Sequence, residues 1–341
     1  MSVRKYIALL LVFAAFQGFT QQKVQFAQYQ QAPVLYNPAF SGIEDFIDLK
    51  VGYRNRWVGV DNSPSTAFVI ANLAFKISMS SEYKRKGIRL IEPEAYHKLE
   101  TSEEFQWRKA RRQGFAGWII QNENGAVSEI GGFLGYAYHL PLSDYIIWSV
   151  GASAGVVNSN LDASNLTVTN PDVDPTYLAY LKDGGASTDA IINLGTVLYS
   201  RDWYVGYAAN KVVVSNISNV NNYGSLDNEM VHNFMIGLTY KPERYGYLII
   251  PGAMVEYSAN MPVMFTLNVR LRYEDAMWGG IGYRNDDSIY LSFGLYITQN
   301  IALNYAFEYS FSDFTGVNAS THEITLGFKL NNRNFSRAYM W

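Results

Sequence analysis

The sequence predicts an all-β protein: a closed antiparallel transmembrane β-barrel of about fourteen strands. Three observations point there. Successive runs alternate apolar with polar side chains, the period-2 pattern of strands with one face in lipid and the other toward a polar lumen. No later segment reaches the roughly 18 to 20 uninterrupted apolar residues that a helical span needs. Aromatic residues make up 15% of the chain and glycine numbers 27, a bias that suits a barrel with aromatic girdles better than a soluble enzyme. Alternation is weaker near 202–212 and 229–258, so twelve and sixteen strands stay open as alternative counts.

At the start, Arg4 and Lys5 precede an apolar core from Tyr6 to Phe16, with Gly18 and Thr20 before Gln21. Residues 1–20 therefore read as a secretory signal peptide. Residues 21–45 form a lead rich in aromatic and polar groups (Phe26, Tyr29, Tyr36, Phe40), whose prolines exclude a continuous helix or a central strand. It is expected to plug the lumen or line its periplasmic mouth. The barrel is assigned to 46–330 and a C-terminal tail to 331–341. With no cysteine the chain is neither a lipoprotein nor disulfide-stapled. A net charge of -3 gives no argument for nucleic acid. Export without a helical anchor leaves the periplasm, the outer membrane or the medium.

The first strand runs over 46–57. Ile47, Leu49, Val51 and Tyr53 fall on one face; Asp48, Lys50, Arg54 and Arg56 fall on the other. A turn rich in Gly, Asp, Asn and Pro returns the chain into 65–76. Further strands are predicted at 113–122, 127–140, 144–157, 187–200, 202–212, 229–241, 245–258, 261–273, 275–285, 288–299, 301–312 and 321–330. On the tenth, Val263 to Tyr273 at odd positions meet lipid while Thr266, Asn268, Arg270 and Arg272 point inward. A lipid-facing Arg or Lys near the midplane would cost about 2–4 kcal/mol, so the lumen is the polar side.

Two stretches resemble a known family. LYNPAFSG, YRNRWVG and SPST, with Tyr36, Asn37, Pro38, Gly42, Tyr53, Arg54, Trp57, Gly59 and Pro64, are similar to the signature of the PorP/SprF proteins. The similarity continues through YRNDDSIYLSFGLYITQN, YAFEYSFS and STHEITLGFKL, where His322 and Glu323 fall in the closing strand. The resemblance implies an outer-membrane component of type IX secretion and gliding motility in a Gram-negative bacterium. It names a role in a machine and no reaction or cofactor. Implied partners are a secreted adhesin-like protein with a C-terminal sorting domain, periplasmic and outer-membrane secretion components, and the lipid bilayer.

Inward charges on strands that become neighbours on closure, Asp48, Lys50, Arg54, Arg56, Arg270, Arg272, Arg284 and Glu308, are expected to brace the lumen through charge-assisted hydrogen bonds or to line a selective pore. With Tyr290 and Tyr296 they should occlude it. Loop parity places the short connections in the periplasm and the long ones, 158–186, 213–228 and 313–320, outside. Tyr177, Tyr180, Leu181 and Tyr223 offer apolar anchors there for a secreted partner, although the same composition equally describes an idle loop. The exception is 77–112, periplasmic by parity, which reads first as a solvated charged excursion and alternatively as a docking element in which Lys84, Arg85, Lys86, Arg108, Arg111 and Arg112 meet an acidic partner. The resemblance implies a shorter connection at this point. The four histidines, His97, His139, His232 and His322, show no metal-ligand spacing, and no motif of an enzyme active site is present. The competing function is an outer-membrane diffusion channel or small-molecule transporter.

Overall fold

The computed structural model describes residues 26–44, 46–60, 62–76, 112–143, 146–162, 186–218, 229–242, 246–259, 261–273, 276–285, 288–311 and 320–331. They contain fourteen strands: β1 (Ile47–Val58), β2 (Ser65–Lys76), β3 (Arg112–Asn124), β4 (Val127–Pro141), β5 (Ile147–Leu161), β6 (Ala186–Tyr199), β7 (Trp203–Asn216), β8 (Val231–Leu238), β9 (Tyr247–Ser258), β10 (Met264–Tyr273), β11 (Met277–Arg284), β12 (Ser288–Thr298), β13 (Ile301–Ser310) and β14 (Ser320–Leu330). Each pairs with its sequence neighbours, and β1 closes on β14 in a single barrel. The closing seam is antiparallel from Ile47↔Leu330 to Asn55↔His322. Closure leaves no open sheet edge, as a spanning sheet requires.

Every predicted strand is present, and fourteen is the count. Several end a residue or two away from the predicted bounds, and the largest extensions are those of β5, which continues to Leu161, and β7, which continues to Asn216. Asn158, Ser159 and Asn160 pair with both flanking strands, opposite Ile130, Glu129 and Ser128 on one side and Thr188, Ser187 and Ala186 on the other. Apolar alternation fades there while the hydrogen-bond ladder goes on. The connections after β5 and β7 are accordingly shorter than 158–186 and 213–228.

The faces follow the pleat. On β10, Leu267, Val269, Leu271 and Tyr273 are exposed, while Thr266, Asn268, Arg270 and Arg272 are buried. Polar groups on the outer face pair with one another. Tyr207 meets His232 at 2.9 Å and Tyr305 meets His322 at 2.6 Å, and the Trp148 indole N–H donates to Thr196 Oγ1 at 2.7 Å. In lipid no water would satisfy these groups, so each carries its partner with it.

The core of the molecule is inside the barrel. Residues 26–44 lie there almost wholly buried, and Phe26, Tyr29, Tyr36 and Phe40 pack with inward residues such as Phe68, Ile70, Trp118 and Tyr204.

Candidate functional site

The lead is built from three short 3-10 turns, Tyr29–Gln31, Pro33–Leu35 and Pro38–Phe40. Proline opens the second and third, where its fixed φ suits a turn and its missing N–H is not needed. Asn37 caps the third turn, accepting the Ala39 N–H at 2.9 Å. Its amide also donates to the carbonyls of Thr196 and Tyr207 on β6 and β7. The preceding carbonyl, Tyr36 O, accepts from Asn210 at 2.9 Å and from Asn233 at 3.2 Å. The Tyr36 hydroxyl accepts the Phe26 N–H at 2.8 Å. Burial raises its pKa above the usual phenol range, so it stays neutral.

From Ala39 to Ile43 the wall donates to the lead at every second carbonyl. Ser149 reaches Ala39 O at 2.7 Å, His139 Nε2 reaches Ser41 O at 2.8 Å and Arg112 reaches Ile43 O at 2.7 Å. Because a carbonyl only accepts, His139 carries its proton on Nε2. Its Nδ1 therefore accepts from Tyr199, whose oxygen in turn accepts from Arg112 at 2.9 Å. Asn72 accepts from Gly42 N and donates to Phe40 O. Contact is close enough to demand glycine on both sides. A Cβ on Gly114 would overlap the Ser41 carbonyl, and Gly42, at φ 65°, faces Gly114 directly.

The earlier part of the lead is held differently. Glu323 on β14 accepts the N–H groups of Ala27 at 2.9 Å and Gln28 at 3.1 Å, and Gln30 donates to Asn268 at 3.2 Å. Among the described residues, the buried side-chain amides of Gln28 and Gln31 have no hydrogen-bond partner. Near Gln31, a cavity of about 10 Å³ also lined by Asp48 and Asn72 has room for roughly one water.

The inward charges sort into separate groups. Arg54 and Arg284 share Glu308, at 3.0 and 3.1 Å, and Lys50 pairs with Asp48 at 2.8 Å. Arg270 lies over Trp278, and Lys329 lies between the rings of Phe46 and Tyr296. Arg272 is buried on the same wall. Where the closing seam slips between Asn55 and Val58, Trp57 takes a φ of 54° and Arg56 folds over its ring. Such a φ is unusual for a bulky residue. Gly59, at φ 99°, completes the turn toward Pro64, whose carbonyl accepts from Arg56 N.

One predicted site residue is corrected. Arg112 does not belong to an exposed basic cluster. It is the first residue of β3, buried, and bound to the lead and to Tyr199. The inward series Arg112, Gly114, Ala116, Trp118 is regular, and carrying the alternation back one step from 113 would have found it. Lys84, Arg85, Lys86, Arg108, Arg111, Tyr177, Tyr180, Leu181 and Tyr223 lie outside the described residues, as does His97. The other three histidines are on β4, β8 and β14, and no group of His, Asp and Glu suited to a metal occurs among the described residues. Sequence reasoning missed Asn72, His139, Asn210 and Asn233 as holders of the lead.

Compared with known proteins, the chain matches over residues 18–328 the family described as "Type IX secretion system membrane protein PorP/SprF". No curated protein matches it. Similar solved structures include the Acinetobacter baumannii outer membrane protein Omp33, at 10% identity and a TM-score of 0.43 over 84% of this chain and 99% of that one. The CymD monoaromatic hydrocarbon channel follows at 11% and 0.47, over 89% and 91%. The P. putida toluene transporter TodX stands at 9% and 0.45, over 88% and 94%. At such values the strand pairing, and not these likenesses, carries the fold.

Proposed function

Because the chain belongs to the PorP/SprF family of type IX secretion membrane proteins and is an outer-membrane barrel, we propose that it works there without enzymatic chemistry, assisting the export or surface attachment of partner proteins that bear a C-terminal sorting domain. In this reading the short turns face the periplasm and touch the machine's periplasmic parts. The outward connections, with Tyr177, Tyr180, Leu181 and Tyr223, touch the secreted partner.

The observation that supports it over a diffusion channel is the lead. A general pore needs an open lumen, whereas here residues 26–44 fill it and are bonded to strands around the wall, from β2 and β3 to β8, β10 and β14. Planar-bilayer recordings should show little steady conductance; large stable openings would favour the channel. Removing the protein from cells should release a sorting-domain partner into the medium or block its export. Affinity purification from native membranes should recover that partner with secretion components, and loss of neither export nor retention would overturn the proposal.

A further inference from the structure

The wall facing residues 26–32 holds the lead by contacts that another chain can make. Glu323 grips two consecutive main-chain N–H groups, Ala27 and Gln28, and main-chain recognition of this kind does not depend on side-chain identity. Arg54 stands opposite Glu323 in the β1–β14 register. Its Nη2 reaches Glu308, while among the described residues its Nε and Nη1 have no acceptor although the side chain is 1% exposed. The lead meets the wall here with neutral glutamines, Gln30 at Asn268 and Gln31 beside Asp48 and Lys50, and the buried amides of Gln28 and Gln31 bond to nothing described. A carboxylate has two acceptor oxygens and a charge to match a guanidinium, so it suits such a wall better than an amide does. Residues 33–43 make the opposite case, with Tyr36, Ala39, Ser41 and Ile43 each giving a carbonyl to a wall donor. The two parts meet at Ala32, which lies between two turns and just before Pro33, with φ -131° and ψ 53°, neither helical nor extended.

The geometry points to a peptide-binding site on the lumenal wall of β10, β14 and β1, which residues 26–32 occupy as a stand-in. It takes in exchange an extended, carboxylate-bearing segment of a partner protein, while residues 33–44 stay seated. This deepens the proposed secretion role and rests on it, since it names where inside the barrel the partner is held.

The chain has no cysteine of its own, which permits a direct test. A Gln30→Cys/Asn268→Cys pair, bridged by a short reducible bis-thiosulfonate, pins residues 26–32 to β10. A bridged Leu291→Cys/Phe307→Cys pair, opposed on the outer face of β12 and β13, serves as control. In cells making the secretion machinery, the first bridge should lower surface-retained partner at least tenfold, reduction should restore it, and the control should change it less than twofold. Heat-modifiable gel migration verifies folding of each variant. In detergent, a fluorescent octapeptide of alternating Ser and Glu should bind the reduced form at least tenfold more tightly than the bridged form, and more tightly than a Ser/Lys octapeptide. Full retention with the first bridge closed, in cells where deleting the protein abolishes retention, overturns the inference and spares the secretion role. Equal binding of the two peptides overturns it as well. If deletion leaves retention unchanged, the secretion role fails, and the peptide measurement alone decides whether the site exists.

Discussion

Residues 26–32 and residues 33–44 lie in one lumen, yet the wall treats them differently. The second stretch meets a matched donor at five of its carbonyls and fits against Gly114 with no room for a side chain. The first stretch is fastened mainly by one carboxylate and leaves two glutamine amides unbonded among the described residues. Buried polar groups are normally paired, and an unpaired one costs about 1–3 kcal/mol. The difference therefore separates a part of the plug that seals from a part that is merely lodged.

The largest effect is expected from Arg112→Ala, which strikes the sealing part. It removes two buried charge-assisted bonds, to Ile43 O and Tyr199, each worth about 1.5–3 kcal/mol. Steady conductance should appear in planar bilayers, and the urea midpoint of the folded band on unheated gels should fall. Glu308→Ala comes next. It strands Arg54 and Arg284 beside each other without their shared carboxylate, a loss of about 3–5 kcal/mol for a broken buried pair. The midpoint should drop while the lumen remains closed, because no bond to residues 33–44 is touched.

Glu323→Gln sharpens the contrast at smaller cost. One of its two charged acceptors becomes a donor that faces a backbone N–H, at about 1.5–3 kcal/mol. A cysteine at Gln28 should then react with maleimide while one at Ala39 stays protected, and equal protection at both sites would erase the distinction between the two parts. Smallest of all is His322→Phe on the outer face. It removes the bond to Tyr305, and polar contacts in lipid average about 0.6 kcal/mol, so neither part of the plug should respond by thiol reactivity or conductance.

Much of the barrel was legible because lipid and lumen impose period-2 alternation on every strand. Leu267, Val269 and Leu271 against Asn268, Arg270 and Arg272 is such a case. The strand ends at Leu161 and Asn216 were not legible, since beyond the apolar band Asn and Ser read equally well as ladder or loop. Arg112 was misread for a related reason: it follows a charged run, and nothing local says that this arginine alone turns inward. The lead was recognisable by its motif, and a lumenal position was among the expectations. Its partners were not. Asn72, Asn210 and Asn233 look like any inward polar residue, and their bonds join positions from 32 to 197 residues apart. Pattern reading carries no information at that separation.

The grip of Glu323 on Ala27 spans 296 residues, and that separation orders the assembly of the molecule. Closing a loop of that length costs about 5 kcal/mol of chain entropy by (3/2)RT ln n, and contacts so distant form late in folding. The lead precedes β1, yet its contacts recruit β2, β3, β7, β8, β10 and β14. An incomplete barrel lacking β14 would have nothing to receive Ala27 and Gln28. Seating of the lead thus reports that the last strand has arrived, and a half-inserted barrel would be distinguishable from a finished one by the protease sensitivity of this segment alone.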